Sequence, residues 1–397
     1  MAIDVPRGYR LAGVSCGIKR EARKLDLTLI VSDVPAVAAG VYTQNLVCAA
    51  PVQLDRNRTP GDRIRAVAIN SGNANACTGE RGLRDAREMG RLAAAACGAG
   101  EEQSLVLSTG VIGEFLPLEK IARGIDALAG RLGADQVSLV SAAQGMLTTD
   151  TVHKLSGRTI SVSGRTIQIT GMAKGAAMMG PNLATMLAVV LTDAPLDPCS
   201  ADAALRQAVA DSFNCISVEG HTSTNDTVLL LANGQAGGPP LAGDDLAEFG
   251  RNLDAVCIEL ARAIPADGEG ATHLVTIEIS GCGSRDDAMT IAKAVANSPL
   301  VKTAIAGADP NWGRIVSAAG YSGVAFNPAE VSLRVNGFLL YQGGTPVAFD
   351  GPQVSKSIRD NRETLVQLRC GAGVSGVRFW STDLTAEYVR LNADYHT

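Results

Sequence analysis

Residues 186–191, Met-Leu-Ala-Val-Val-Leu, run without a polar interruption shortly after a Gly-Pro-Asn turn signal at 180–182. No other segment constrains the fold as tightly. A continuous apolar run rich in Val and Leu and bounded by turn residues reads as a strand buried on both faces. Thr185 stands at its mouth, directly after the small Ala184, and Lys174 is the lone charge between 171 and 191. Two readings of Thr185 follow from the residues. It is a β-former filling a pleat, the commoner case, or it is the nucleophile of a chain that cuts itself. In the second reading its hydroxyl attacks the Ala184 carbonyl, an ester forms and hydrolyses, and a new chain begins at Thr185. The freed α-amine, with a reference pKa of about 7.7–8.0, then serves as general base for its own hydroxyl.

The rest of the chain fits a small-residue-rich globular enzyme. It has 397 residues, enough for two domains or one large one, with 46% hydrophobic and 19% charged residues and 43 glycines. Its 35 basic and 40 acidic residues leave a net charge of −5 without a basic cluster, so no nucleic-acid partner is expected. The nine cysteines are scattered and form no Cys-x-x-Cys pair. Zinc and thioredoxin-type chemistry therefore lack support, and the thiols read as reduced, buried small hydrophobes. No glycine fingerprint for a dinucleotide follows a strand. The four histidines, at 153, 221, 273 and 396, have no triad-like context and read as structural or surface groups. The opening Met-Ala-Ile-Asp-Val-Pro has no basic or apolar leader region, and no window approaches 18 apolar residues, so a soluble, cytoplasmic protein is expected.

Strand and helix patterns mix without strict βαβ alternation, which points to an α+β layered architecture. Ile160 and Val162, then Ile167 and Ile169, alternate with polar residues about Ser163-Gly164, predicting a hairpin that leads into Lys174. Further strands are predicted at 227–231, 275–279 and 331–335. Leu205, Val209 and Phe213 predict one helix after Pro198; Leu253, Val256, Leu260 and Ile264 predict another, closed by Pro265.

Acyl transfer through a threonine nucleophile needs, beyond its base, an oxyanion site and groups that recognise the substrate. Ser108-Thr-Gly-Val-Ile-Gly113, after the apolar 105–107, reads as a glycine-bracketed turn. It is either an ordinary loop or a set of N–H groups for a developing negative charge. Lys174 suits a carboxylate, or is a surface lysine. Glu269, between Gly268 and Gly270, could bind a substrate ammonium or hold the freed Thr185 amine. The loops at 70–79 and 307–314 read as turn scaffolds, with Trp312 a packing residue.

Lys174-Gly175, Pro181-Asn-Leu-Ala-Thr-Met-Leu187 and Thr192-Asp-Ala194 resemble the processing site of the glutamate N-acetyltransferase (ornithine acetyltransferase) family of arginine biosynthesis. The resemblance extends over essentially the whole chain. It includes Asn70-Ser-Gly-Asn-Ala-Asn-Ala-Cys-Thr-Gly79, Ser108–Gly113, Met146-Leu-Thr-Thr-Asp-Thr151 and Thr222-Ser-Thr-Asn-Asp-Thr227. It continues through Asp267-Gly-Glu-Gly-Ala-Thr272, residues 297–303, Gly307-Ala-Asp-Pro-Asn-Trp-Gly-Arg314 and the closing residues 388–397.

The resemblance implies a layered αββα-type sandwich shared between two autoproteolytic pieces, residues 1–184 (α) and 185–397 (β), assembled as α2β2. It implies cleavage between Ala184 and Thr185, Thr185 as nucleophile, and Thr109 and Gly110 as the oxyanion site. Thr148, Lys174, Thr185, Glu269, Asn392 and Thr397 are the implied substrate contacts. The implied reaction moves acetyl from N2-acetylornithine to L-glutamate by a ping-pong route through acetyl-Thr185. No metal or tightly bound cofactor is implied, and acetyl-CoA is a second donor in bifunctional members. His221 and His273 depart from the family pattern, where an acidic residue and a lysine are usual, and bear on substrate preference or loop electrostatics, not on the reaction class. The rival readings are a self-processing aminopeptidase or amidase of similar fold, and an uncleaved small-molecule-binding paralogue.

Overall fold

A computed structural model describes residues 3–21, 23–178 and 186–394. Ala184, Thr185 and Thr397 lie outside the described residues. Among those described, the first half contributes β1 (Tyr9–Val14), β2 (Leu27–Tyr42), β3 (Gly61–Asn73), β4 (Ser104–Val111), β5 (Lys154–Val162) and β6 (Arg165–Lys174). With β7 (Leu187–Thr192) and β8 (Thr227–Ala232) they form one eight-stranded sheet in the order β4-β3-β2-β8-β7-β6-β5, with β1 paired to β2. β7 runs parallel to β8 and antiparallel to β6, and β8 runs antiparallel to β2. The two strands that follow residue 185 are thus held on both sides by strands that precede it. A cut at 184/185 would leave both seams hydrogen-bonded.

Every residue of β7 is buried. Ala188 and Val190 join the core on one face, while Leu187, Val189 and Leu191 join the core on the other. Period-two side chains on a strand covered above and below give the continuous apolar run. Burying each Val or Leu stabilises by about 1.5–3 kcal/mol.

Helices α1 (Ala50–Arg56), α2 (Gly79–Ala95) and α3 (Leu118–Ala129) cover the β1–β4 end, and α4 (Gln136–Met146) packs on β1 and β2. Helices α5 (Pro198–Ala210) and α6 (Gly243–Ala266) cover β5–β8. One continuous core then runs from α5 and α6 into a second, six-stranded sheet. That sheet lies wholly within residues 274–382 and packs against α7 (Arg285–Ala296). The α+β layered class expected from the pattern is the class observed.

The predicted hairpin is β5–β6, closing on Ser163-Gly164. Three local expectations differ. Helix α5 ends at Ala210, and Phe213 sits in a separate 3-10 turn, with the Ser212 hydroxyl between them donating back to the Ala208 carbonyl. Pro265 lies within the last turn of α6 and does not end it; the Asp267 amide caps the helix on the Ile264 carbonyl. Thr109 and Gly110 are strand residues, since β4 continues its parallel pairing with β3 through Val111. Among the cysteines, 215, 257, 282 and 370 are buried as expected, whereas Cys77 and Cys199 are exposed. No helix among the described residues is long and apolar enough to cross a membrane.

Candidate active site

Lys174 ends β6 opposite Leu187 of β7, so sheet pairing carries its ammonium to the mouth of the strand that Thr185 precedes. Its side chain is 2% exposed. Nζ donates to Thr148 Oγ1 at 2.7 Å and to Thr109 Oγ1 at 3.3 Å, and lies 3.9 Å from Asp150 Oδ2. Thr148 stands in the loop that leaves α4, and Thr109 comes from β4. Gly110 follows at φ 134°, where a Cβ would lie 2.3 Å from the Gly72 carbonyl carbon. Two strands approach there at a distance that only glycine allows.

The opposite wall is a carboxylate. Glu269 lies in the turn after α6, and its amide donates to the Ala176 carbonyl at 2.9 Å. Its Oε2 accepts from Asn392 Nδ2 at 2.9 Å. Asn392 is carried by the closing helix Ala386–Asp394, which presses on this turn so closely that a Cβ on Gly270 would sit 2.5 Å from the Tyr388 amide nitrogen. Thr109, Gly110, Thr148, Lys174, Glu269 and Asn392 therefore surround one cavity of about 460 Å³. Ile112, Met178 and Leu391 supply apolar wall. The volume suits a small ligand, and the lining combines a cation and hydroxyls with a carboxylate and an amide.

Burial pushes the Lys174 ammonium below the usual lysine range; Lys154 adds to this, while Asp150, Asp226 and Glu269 oppose it. Burial would raise Asp150, but Lys174 and Lys154 outweigh it and hold that carboxyl well below its usual range. Asp226 is the reverse case. Its carboxyl accepts the Met186 amide at 3.0 Å, yet burial outweighs that bond and Lys174 and raises it well above the carboxylate range.

The asparagine-rich loop at 70–79 is a scaffold for β4. Ser108 Oγ donates to Asn70 Oδ1 at 2.6 Å, and Asn225 Nδ2 donates to the carbonyls of Ala74 and Ser108 at 2.7 and 2.8 Å. Trp312 stacks on Tyr341 with ring centroids 5.3 Å apart and is a packing residue. His273 is buried with Nδ1 facing Asp383 at 2.9 Å and Nε2 facing the Ile358 carbonyl at 3.1 Å, so neither nitrogen is open to a substrate. His153 and His221 are exposed. No group of three His, Cys, Asp or Glu among the described residues is arranged to hold a metal ion.

Sequence reasoning passed over Asp150, Lys154, Asp267 and Asp226. The signal was present for three of them, since Asp150, Asp226 and Asp267 fall inside motifs already singled out at 146–151, 222–227 and 267–272.

A model of the ArgJ family matches residues 10–397. The arginine biosynthesis bifunctional protein ArgJ of Rhodopirellula baltica is 46% identical over 396 residues, covering 99% of this chain and 96% of its own. Its namesake in Geobacter sulfurreducens is 46% identical over 393 residues, covering 98% and 99%. A crystal structure of the arginine biosynthesis bifunctional protein ArgJ from Bacillus halodurans aligns with a TM-score of 0.50 at 36% identity. That alignment takes in 96% of the solved chain but only 51% of this one.

Proposed function

This chain belongs to the ArgJ family, and on that premise we propose that it is a self-processing N-acetyltransferase of arginine biosynthesis. It moves acetyl from N2-acetylornithine to L-glutamate. The observation that carries the reading is the single cavity in which Lys174, Thr148, Thr109 and Gly110 face Glu269 and Asn392, beside the strand that Thr185 precedes. A ligand with an α-carboxylate and an α-amino nitrogen finds a cation for the first and a carboxylate for the second.

In this reading the Thr185 hydroxyl attacks the Ala184 carbonyl, the peptide bond breaks, and water hydrolyses the resulting ester. The α piece 1–184 and the β piece 185–397 stay joined through the seams of the large sheet. The proportions of the Bacillus halodurans match, nearly all of a solved chain against half of this one, support such a division. The freed Thr185 amine then takes the hydroxyl proton, and the oxygen attacks the acetyl carbonyl of N2-acetylornithine. Thr109 and Gly110 meet the oxyanion. Collapse returns the proton to the departing amine, releases ornithine and leaves acetyl-Thr185. The amine of glutamate attacks that ester in turn and leaves as N-acetylglutamate. Acetyl-CoA, losing its thiol in the first half-reaction, is the second donor expected of a bifunctional member. No bound cofactor takes part in these steps, and Thr397 joins Asn392 at the substrate. An α2β2 assembly and a cytoplasmic setting complete the reading.

Intact mass and a coupled assay test it. The wild type should give pieces of roughly 19 and 22 kDa, the 41.0 kDa chain divided in the proportion of 184 to 213 residues, while Thr185→Ala stays whole and inert. A wild type that cleaves but transfers acetyl only to water would be the amidase instead, and one that stays whole would be the binding paralogue.

A further inference from the structure

We propose that Asp150, which does not itself line the cavity, is the positioning residue that sets the geometry and charge of its carboxylate-binding end. The inference deepens the acetyltransferase reading and rests on it. The Asp150 side chain is wholly buried. Its Oδ1 accepts the Gly175 amide at 2.6 Å and Lys154 Nζ at 2.8 Å. Its Oδ2 accepts the Thr148 amide at 3.1 Å and faces Lys174 Nζ at 3.9 Å. One carboxylate thus pins the residue after Lys174, the backbone of Thr148 and the ammonium that Thr148 receives. These are the parts that must stay in register for Lys174 and Thr148 to meet a ligand carboxylate together.

The charge argument is independent of that geometry. Lys174 faces Asp150, Lys154, Asp226 and Glu269 and also feels Lys19. Lys154 and Lys19 repel it. Asp150, Asp226 and Glu269 attract it, and Asp150 acts most strongly of the three. Asp150 is therefore the adjacent anion that keeps a fully buried ammonium charged, since burial favours the neutral amine. The row continues outward with alternating sign. Lys154 also binds Asp267 Oδ2 at 2.7 Å, and Asp267 accepts the Thr151 amide at 3.1 Å and the Thr151 hydroxyl. Asp267 stands two residues before Glu269, so the buried row runs from Lys174 to the turn that carries Glu269.

The experiment measures KM and kcat for N2-acetylornithine and for glutamate against pH in the processed wild type, Asp150→Asn, Asp150→Glu and Lys154→Gln. Asp150→Asn should raise both KM values about 10- to 100-fold with a smaller change in kcat. The pH at which KM begins to climb should move down by about one unit or more, because Lys174 gives up its proton sooner. Asp150→Glu should recover part of that pH profile. Lys154→Gln should move it the opposite way, which keeps the inference testable if Asp150→Asn does not mature. A pH profile of KM unmoved by either Asp150→Asn or Lys154→Gln would overturn it, as would a loss confined to the yield of processed enzyme. A wild type without glutamate-dependent transfer would instead remove the acetyltransferase reading, a separate outcome.

Discussion

Asn392 donates its Nδ2 to Glu269 Oε2 at 2.9 Å, although 123 residues separate them. The bond brings the last helix onto the cavity and aims the Glu269 carboxylate inward. The helix Ala386–Asp394 is seated by the close approach of Tyr388 to Gly270. The cavity wall is thus completed by residues close to the end of the sequence.

Asn392→Ala should leave processing intact and raise KM for both amino-acid substrates by about 3- to 10-fold, the effect of one partly exposed hydrogen bond to a charged group. Steady-state kinetics on the processed enzyme check it. A KM equal to the wild type would remove Asn392 from the substrate end.

Gly110→Ala should be severe. The new Cβ would lie 2.3 Å from the Gly72 carbonyl carbon and 2.5 Å from the Asn73 amide nitrogen, at a φ of 134°. Those are backbone atoms of the paired strand and cannot swing aside, so β3 and β4 must part at the oxyanion site. Thermal melts should show a loss of about 2–4 kcal/mol. Acetyl transfer should fall by about 100-fold or more, the scale of a lost oxyanion donor. Retention of wild-type kcat would place the oxyanion site elsewhere.

Asp226→Asn should change the pH dependence of stability. The folded carboxyl is raised well above its ordinary value, so it keeps a proton that the unfolded chain releases near pH 3.9. The folded state then binds more protons, and stability falls as pH rises from about 3.9 to the raised folded value. Asparagine has no such proton. The melting temperature of the variant minus that of the wild type should therefore climb between pH 4 and 7, by about 2 °C or more. A difference independent of pH would show that Asp226 is ionised in the folded protein.

Lys302→Met tests a third buried lysine, one that does not line the cavity. Its Nζ donates to the carbonyls of Val218 and Thr382 at 2.7 and 2.6 Å and to Thr382 Oγ1 at 2.8 Å. Leaving those acceptors unpaired should cost about 2–4 kcal/mol at pH 7. Burial, against Asp383 and Glu219, brings the ammonium down to about 8. Between that pH and about 10.4 the unfolded chain holds a proton that the folded one lacks. Wild-type stability should rise relative to the variant across that window, by at most about 3 kcal/mol. Denaturant melts at pH 7 and 10 measure the change, and a constant gap would count against it.

Local chemistry was legible in the residues themselves. Alternation about Ser163-Gly164 marks the β5–β6 hairpin, and an unbroken Val- and Leu-rich run marks a strand covered on both faces, because side-chain period and turn preference act over a few residues. The same locality explains the misses. Nothing in the apolar spacing signals that α5 ends before Phe213, and Gly110 and Gly113 after Thr109 mimic a turn until β3 is seen to pair with β4 as far as Val111. The six candidate residues among those described were named from ordered motifs, with their placement around one cavity left to the fold.

What the sequence determined by itself is the α+β class, the doubly buried strand after Thr185 and, through motifs spread over the whole chain, the family. Tertiary structure alone decided that β7 and β8 lie between strands from the other side of residue 184, and that Thr148 meets Lys174 across 26 residues and Asn392 meets Glu269 across 123. It also decided that a buried row of Lys174, Asp150, Lys154 and Asp267 supports the cavity. The reason is physical. Periodicity and turn chemistry act between neighbours in the chain, whereas strand order, burial and the charge state of a buried lysine depend on groups that only long-range sheet pairing brings together.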